Sequence, residues 1–102
     1  MVEAFTNDEC LELIYSIKKY EFLYNPYDKH YKNKVMREQA WNDVISKVGK
    51  PVGLCKRKWD LLRQRFIRCH KKQKKLKNNA VKEETWVYFK LLDFLHVILP
   101  KK

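Results

Sequence analysis

Glycine and proline are scarce in this chain, whose 102 residues include two glycines and three prolines. Sandwiches and barrels depend on many tight turns, which these two residue types favour. Their scarcity argues against an all-β architecture, and the charged fraction of 34% suits helices with long solvent-facing sides. Composition and length therefore predict an all-α fold in a single domain over residues 1–102.

Long apolar runs are absent as well. No run approaches the roughly 20 residues that a membrane-spanning helix needs. The N-terminal residues also lack the basic and apolar segments of a signal peptide. We therefore expect an intracellular protein without a membrane partner.

Motifs for catalysis or metal binding are also missing. The sequence has no P-loop and no nucleophile motif, and its three histidines have no catalytic partner at motif spacing. Cys10, Cys55 and Cys69 lack the paired spacing of a zinc site, which predicts reduced thiols that pack as small apolar groups. We expect no enzyme activity, no cofactor, no metal and no small-molecule substrate.

Acidic residues are nearly absent from one segment. Residues 51–77 hold eleven Lys and Arg and a single acid, Asp60, whereas residues 1–50 hold eight of each sign. The formal net charge of +11 is therefore concentrated in this segment. A one-signed stretch on a folded element favours a polyanionic partner through counterion release. The alternative is a solvated helix face, although so many like charges repel one another without a partner.

Apolar periodicity predicts four helices. The first covers about residues 7–20 and starts at a capping box of Thr6 and Glu9, and the second covers about residues 34–48 and ends at Gly49. The third covers about residues 51–75, and a basic linker over about residues 71–84 leads to the fourth, over about residues 84–99. The aromatic segment 21–33 is expected to pack on the core, the alternative being a platform on which bases stack.

The third helix is predicted to have two different sides. Its apolar positions recur over four turns at the spacing of one buried stripe, which comprises Cys55, Trp59, Leu62, Phe66 and Cys69. The opposite side collects basic and amide side chains, namely Lys56, Arg57, Gln64, Arg68, Lys71 and Lys75. Leu61 and Ile67 flank the stripe, and we expect them to meet the first or fourth helix rather than thymine methyl groups. Arg65 and Lys58, closer to the edge of the core, are expected to be packing residues or rim charges.

An ordered set of short motifs runs along the chain. It consists of Leu11 and Ile14, Leu23-Tyr24, Tyr31-Lys32-Asn33-Lys34, Arg37-Glu38, Ala40-Trp41, Cys55-Lys56-Arg57-Lys58-Trp59, Leu62-Arg63 with Phe66, and Trp86, Phe89 and Phe94-Leu95. Taken together, the set resembles the MADF domain, a Myb/SANT-like module of insect transcription regulators.

The resemblance implies a Myb/SANT-like three-helix bundle with a helix-turn-helix and an additional C-terminal helix. It also implies sequence-directed binding of double-stranded DNA, in the nucleus, within a longer transcription or chromatin regulator that carries such a module at its N-terminus. Related modules also bind proteins. The alternative function is therefore a protein-interaction module for an acidic chromatin-associated partner.

On this hypothesis the start of helix three enters a major groove, which admits a helix. Arg57 and Gln64 are the candidates for base contacts, because Arg pairs with guanine and Gln with adenine. The alternative is that both contact only the DNA backbone or water.

Phosphate contacts are expected from a wider set of basic side chains, Lys47, Lys50, Lys56, Arg68 and Lys71. Two roles remain open for Arg63, which lies at the margin of the core. It is either a DNA contact or one half of a structural pair with an acidic residue such as Glu38 or Glu12.

Overall fold

The computed structural model of the protein describes residues 5–75 and 86–99. Over these residues the chain forms three α-helices, α1 (Asn7–Lys18), α2 (Lys34–Val48) and α3 (Val52–Lys75). Two 3-10 helices accompany them, one at Glu21–Leu23 after α1 and one at Asp93–Ile98 near the C-terminus. The described residues contain no strand, so the prediction of an all-α fold is confirmed.

The predicted capping box starts α1. The Thr6 side-chain oxygen accepts from the Glu9 N–H over 3.1 Å, and the Glu9 carboxylate accepts from the Thr6 N–H over 2.9 Å. These two bonds satisfy N–H groups that have no partner inside the helix. The helix ends at Lys18, two residues before the predicted end, and Tyr20 beyond it donates its hydroxyl to Asp43 of α2 over 2.7 Å.

The segment between α1 and α2 is packed down, as predicted. Leu23 is buried, and the Tyr24 ring meets the Phe94 ring edge-on at 4.9 Å between centroids. The Arg37 guanidinium donates to the backbone carbonyls of Phe22 over 2.9 Å and Tyr31 over 3.1 Å. It also lies 5.0 Å from the centre of the Tyr31 ring. One side chain of α2 therefore holds both ends of this segment.

A tight turn joins α2 to α3 and completes the helix-turn-helix. Gly49 adopts a left-handed conformation with φ of 83°, which a residue with a Cβ rarely takes, and its N–H donates to the Ile45 carbonyl over 2.8 Å. The Pro51 carbonyl then accepts from the N–H groups of Leu54 and Cys55, each over 3.1 Å. Since Pro51 precedes the first helical turn, α3 starts at Val52, one residue later than predicted.

The predicted apolar stripe of α3 forms the centre of the core. Cys55, Trp59, Leu62 and Phe66 are each at most 6% exposed. Around them lie buried side chains of every other element, among them Leu13, Ile14, Ile17, Leu23, Trp41, Val44, Leu92 and Leu95. Burying each large apolar side chain stabilises the fold by about 1.5–3 kcal/mol. This stripe therefore sets the position of α3 in the bundle.

The C-terminal helix is present but is shorter and tighter than predicted. Residues 87–92 form turns, and the helix itself is the 3-10 helix Asp93–Ile98. The spacing explains this difference, because Trp86, Phe89, Leu92 and Leu95 recur every three residues, which matches the three residues per turn of a 3-10 helix. Most backbone bonds of the segment accordingly span three residues, such as Phe89 to Trp86 and Leu95 to Leu92.

Part of the predicted basic linker belongs to α3. Residues 71–75 are helical, and residues 76–84, together with 85, lie outside the described residues. All three cysteines are free, with Cys10 and Cys55 buried, and burial raises the pKa of the Cys55 thiol. None of the helices in the described ranges combines the length and the apolar character needed to cross a membrane.

Arg37→Ala is expected to lower the free energy of unfolding by about 2 kcal/mol, because a hydrogen bond from a charged donor contributes roughly 1.5–3 kcal/mol. Urea unfolding followed by tryptophan fluorescence measures this change. Arg68→Ala removes an exposed arginine and should leave the unfolding midpoint unchanged. An equal effect of the two variants would contradict the assigned role of Arg37.

Candidate nucleic-acid interface

The solvent-facing side of α3 carries a row of basic and amide groups. Arg57, Gln64, Arg68 and Lys71 are exposed. Their spacings of seven, four and three residues place them on one side of the helix, opposite the buried stripe. Core packing fixes this orientation. We call these four residues the outward face of α3.

Asp60 binds two neighbouring side chains at the edge of this face. Its carboxylate accepts from Arg63 Nη2 over 2.6 Å and from Gln64 Nε2 over 2.8 Å. The expected structural pair of Arg63 with an acidic residue is therefore present, but its partner is Asp60 and not Glu38 or Glu12. The spacing from Asp60 to Arg63 and Gln64, three and four residues, is the signal that identifies the actual partner.

A cleft of about 470 Å³ opens beside α3, between the helix, α2 and the segment after α1. Aromatic side chains form part of its walls, namely Tyr24, Tyr31, Trp41 and Trp59. Lys56 and Arg63 line it as well, and the Lys56 ammonium lies 5.7 Å from the centre of the Trp41 ring. These two cations therefore flank the outward face and border an aromatic recess.

Lys50 lies on the side of the bundle near the start of α1. Its ammonium is 3.6 Å from the Glu9 carboxylate and 5.3 Å from the centre of the Phe5 ring, and its side chain is 14% exposed. The hydrogen bond from the Thr6 backbone N–H and the nearby Lys50 charge lower the pKa of Glu9. Lys50 thus links the helix-turn-helix to the N-terminus of α1.

Lys47 lies in the last turn of α2, near a second lysine. Its ammonium is 4.0 Å from the Asp43 carboxylate. The side-chain contact with Lys47, and the repulsion between the two positive charges, lower the pKa of Lys19, which directly follows α1. Positive groups are therefore close together where the C-terminal ends of α1 and α2 meet.

Comparison with known proteins identifies the family. Residues 13–95 match the MADF DNA-binding family, described as "Alcohol dehydrogenase transcription factor Myb/SANT-like". The chain belongs to the MADF family of DNA-binding domains. The resemblance predicted from the sequence motifs, and with it the Myb/SANT-like fold class, is confirmed.

A relative of this MADF domain is the transcription factor Adf-1 of Drosophila melanogaster. The two are 32% identical over 85 residues, which cover 83% of this chain. The matched segment spans 29% of the length of that transcription factor. No solved structure gives a significant match to the chain.

The MADF fold distributes the eight predicted site residues over three places. Arg57, Gln64, Arg68 and Lys71 share the outward face, Lys56 and Arg63 border the cleft, and Lys47 and Lys50 lie toward α1. Among the residues that the structure describes, no group of three or more His, Cys, Asp or Glu is placed to hold a metal ion.

The residues that flank the α3 stripe divide into two groups. Ile67 packs against the core, Arg65 lies 4.4 Å from the centre of the Trp86 ring, and Lys58 lies 5.9 Å from that of Phe5, all consistent with the expected packing. Leu61 differs, because it is 56% exposed. The expectation that it meets a neighbouring helix was wrong, since its position lies too far round α3 from the buried stripe.

Protonation of Glu9 is expected to destabilise this MADF domain. Its pKa in the folded protein lies below the ordinary value of 4.5, so its charge stabilises the fold at neutral pH, and this contribution is lost as the pH falls through the folded-state pKa. Glu9→Gln keeps a cap acceptor but lacks the charge. The stability difference between wild type and variant should therefore be full above the ordinary pKa of 4.5 and should shrink as the pH falls below it.

Urea unfolding at each pH measures the difference. Glu12→Gln changes an exposed acid of the same helix and serves as the control, whose profile should follow the wild type. A difference between wild type and Glu9→Gln that stays constant with pH would exclude this role for the Glu9 charge.

Proposed function

We propose that this MADF domain binds double-stranded DNA in a sequence-directed manner, with the first half of α3 in the major groove. The supporting observation is the outward face of α3, whose basic and amide side chains point away from a fully formed core. A major groove about 12 Å wide admits one α-helix and displays a distinct pattern for each base pair. Membership of a family of DNA-binding domains supports the same proposal.

Arg57 and Gln64 are proposed to contact bases. Arg57 has no hydrogen-bonding or ionic partner among the described residues, so its fork of donors is available to guanine O6 and N7. Gln64 gives one amide hydrogen to Asp60, and its second hydrogen and its carbonyl oxygen remain for adenine N7 and N6. Asp60 therefore restricts the rotation of the amide without using the atoms that a base contact needs.

The other basic side chains are proposed to contact phosphates. Arg68 and Lys71 continue the outward face toward the end of α3, and Lys56 and Arg63 flank it on the side of the cleft. Lys47 and Lys50 extend the positive surface toward α1, where Lys50 already pairs with Glu9. A phosphate contact of Lys50 would replace its pair with Glu9. It would therefore stabilise the DNA complex less than a phosphate contact of an unpaired lysine does.

The biological role of the domain is proposed from its similarity to Adf-1. Adf-1 is named as a transcription factor, and this chain corresponds to a part of it. We infer that the domain works in the nucleus, as the DNA-binding part of a transcription or chromatin regulator. The duplex sequence then decides where the regulator acts.

An acidic protein partner is the second candidate. The cleft favours it, because Lys56 and Arg63 line the cleft together with aromatic side chains. The aromatic groups suit an apolar side chain of the partner, and the two cations suit acidic residues next to it. Such a partner would be indifferent to duplex sequence. A direct DNA selection therefore separates the two functions.

Selection from a randomised duplex pool at near-physiological salt is expected to enrich one motif. Arg57→Ala and Gln64→Ala should each relax the preference at one position of that motif, because a bidentate side-chain contact discriminates by about 1–3 kcal/mol. Sequencing of the bound pools measures the change. Gln39→Ala removes an exposed amide of α2 and should leave the motif intact. A pool that stays random would exclude sequence-directed binding and direct the test to acidic peptides.

The contribution of each lysine to the salt dependence of DNA binding should depend on whether its ammonium already has an intramolecular partner. Lys71→Gln is expected to reduce the slope of log affinity against log salt by about 0.9, the value for one lost phosphate contact. Lys50→Gln should reduce it by less, because its ammonium already pairs with Glu9.

Fluorescence anisotropy at several salt concentrations measures both slopes. Lys29→Gln, which changes an exposed lysine outside the helix-turn-helix, provides the control. Equal slopes for wild type and Lys71→Gln would place Lys71 outside the interface.

A further inference from the structure

Leu61 is an apolar side chain on the polar side of α3. It is 56% exposed, although leucine usually packs inside a helical bundle. Single exposed apolar residues are common on protein surfaces, so exposure alone assigns no role. The role of Leu61 is inferred instead from its position on α3.

Leu61 lies among the residues proposed to contact DNA. It follows Arg57 by four residues and precedes Gln64 by three and Arg68 by seven. Residues at these spacings are neighbours on the surface of a helix. The apolar group therefore stands between the cation and the amide that are proposed to contact bases, in the half of α3 that would enter the groove.

The alternatives within the fold do not account for Leu61. The side chain is absent both from the buried core and from the partly buried residues packed against it, whereas Ile67 on the same helix is among the latter. It is also absent from the lining of the cleft beside α3. Its contact surface is thus directed to the solvent on the outward side of the helix.

We propose that Leu61 contacts the 5-methyl group of a thymine and so determines part of the sequence preference of this domain. Among the four bases in the major groove, thymine displays a methyl group at its edge, whereas the other features are hydrogen-bond donors and acceptors. An aliphatic side chain can distinguish this edge by removing both apolar groups from water. The inference rests on the proposed binding of α3 in the major groove.

The test uses the duplex that the wild-type domain selects from the randomised pool. Each thymine in the motif is replaced in turn by deoxyuridine, which removes the methyl group and keeps every hydrogen-bonding atom. At one or two positions we expect wild-type affinity to fall about fourfold, the value for one buried methyl-sized group. Leu61→Ala should bind the unmodified duplex more weakly by a similar factor and should lose its sensitivity to deoxyuridine at those positions.

The control is Val35→Ala, which removes an aliphatic side chain of α2 that is 61% exposed. It should keep the affinity and the deoxyuridine profile of the wild type. Far-ultraviolet circular dichroism and the unfolding midpoint of Leu61→Ala should also match the wild type, because Leu61 is outside the core.

Three results would overturn the inference. One is a wild-type profile without any deoxyuridine-sensitive position, and another is a Leu61→Ala variant that keeps the wild-type profile. The third is a selected motif without any A·T base pair, because such a motif contains no thymine on either strand. A pool without any enriched motif would instead overturn the proposed function and the inference together, so the two failures are distinguishable.

Discussion

Burial of Trp59 and Phe66 fixes the rotation of α3 about its own axis, and the surface of the domain follows from that rotation. Trp59 lies parallel to the Phe94 ring at 6.3 Å, and Phe66 lies 5.4 Å from the Phe89 ring. Because successive residues turn by about 100°, burial of this stripe directs Arg57, Gln64 and their neighbours outward. The C-terminal segment therefore positions the proposed interface although it contributes no residue to it.

The basic segment has to fold despite the mutual repulsion of its charges, and the structure shows how some of them are compensated. Lys56 lies over Trp41 and Arg65 over Trp86, so two cations face the negative surface of an aromatic ring. Arg63 pairs with Asp60. Arg57, Arg68 and Lys71 have no such contact among the described residues. The three cations of the outward face thus keep a positive charge without a neighbouring counter-charge in the described part of the chain, and a polyanion on this face would be stabilising.

The elements that depend on local signals could be predicted from the sequence. The capping box, the end of α2 at Gly49 and the stripe of α3 each follow from residues within a few positions of one another. The hydrogen bonds from Arg37 to the backbone carbonyls of Phe22 and Tyr31 could not be predicted, since they depend on tertiary packing. The tight C-terminal helix and the partner of Arg63 are harder to predict, because a three-residue apolar period also occurs in α-helices and the spacing from Asp60 to Arg63 does not exclude pairing with an acid of another helix.

Asp60 shows why an acid can persist in a segment that is otherwise basic. A carboxylate near the groove repels phosphates, but its side chain is 49% exposed, so solvent and salt weaken that repulsion. Its hydrogen bonds also restrain Arg63 and Gln64, which in the proposed binding mode would be held in place before DNA binds. Ordering a long side chain on binding costs about 0.5–1.5 kcal/mol, and a restrained Gln64 avoids part of that loss only at sites where its amide finds the matching base. In the proposed binding mode the acid would thus lower the affinity slightly for every duplex while increasing the difference between the right duplex and the wrong one.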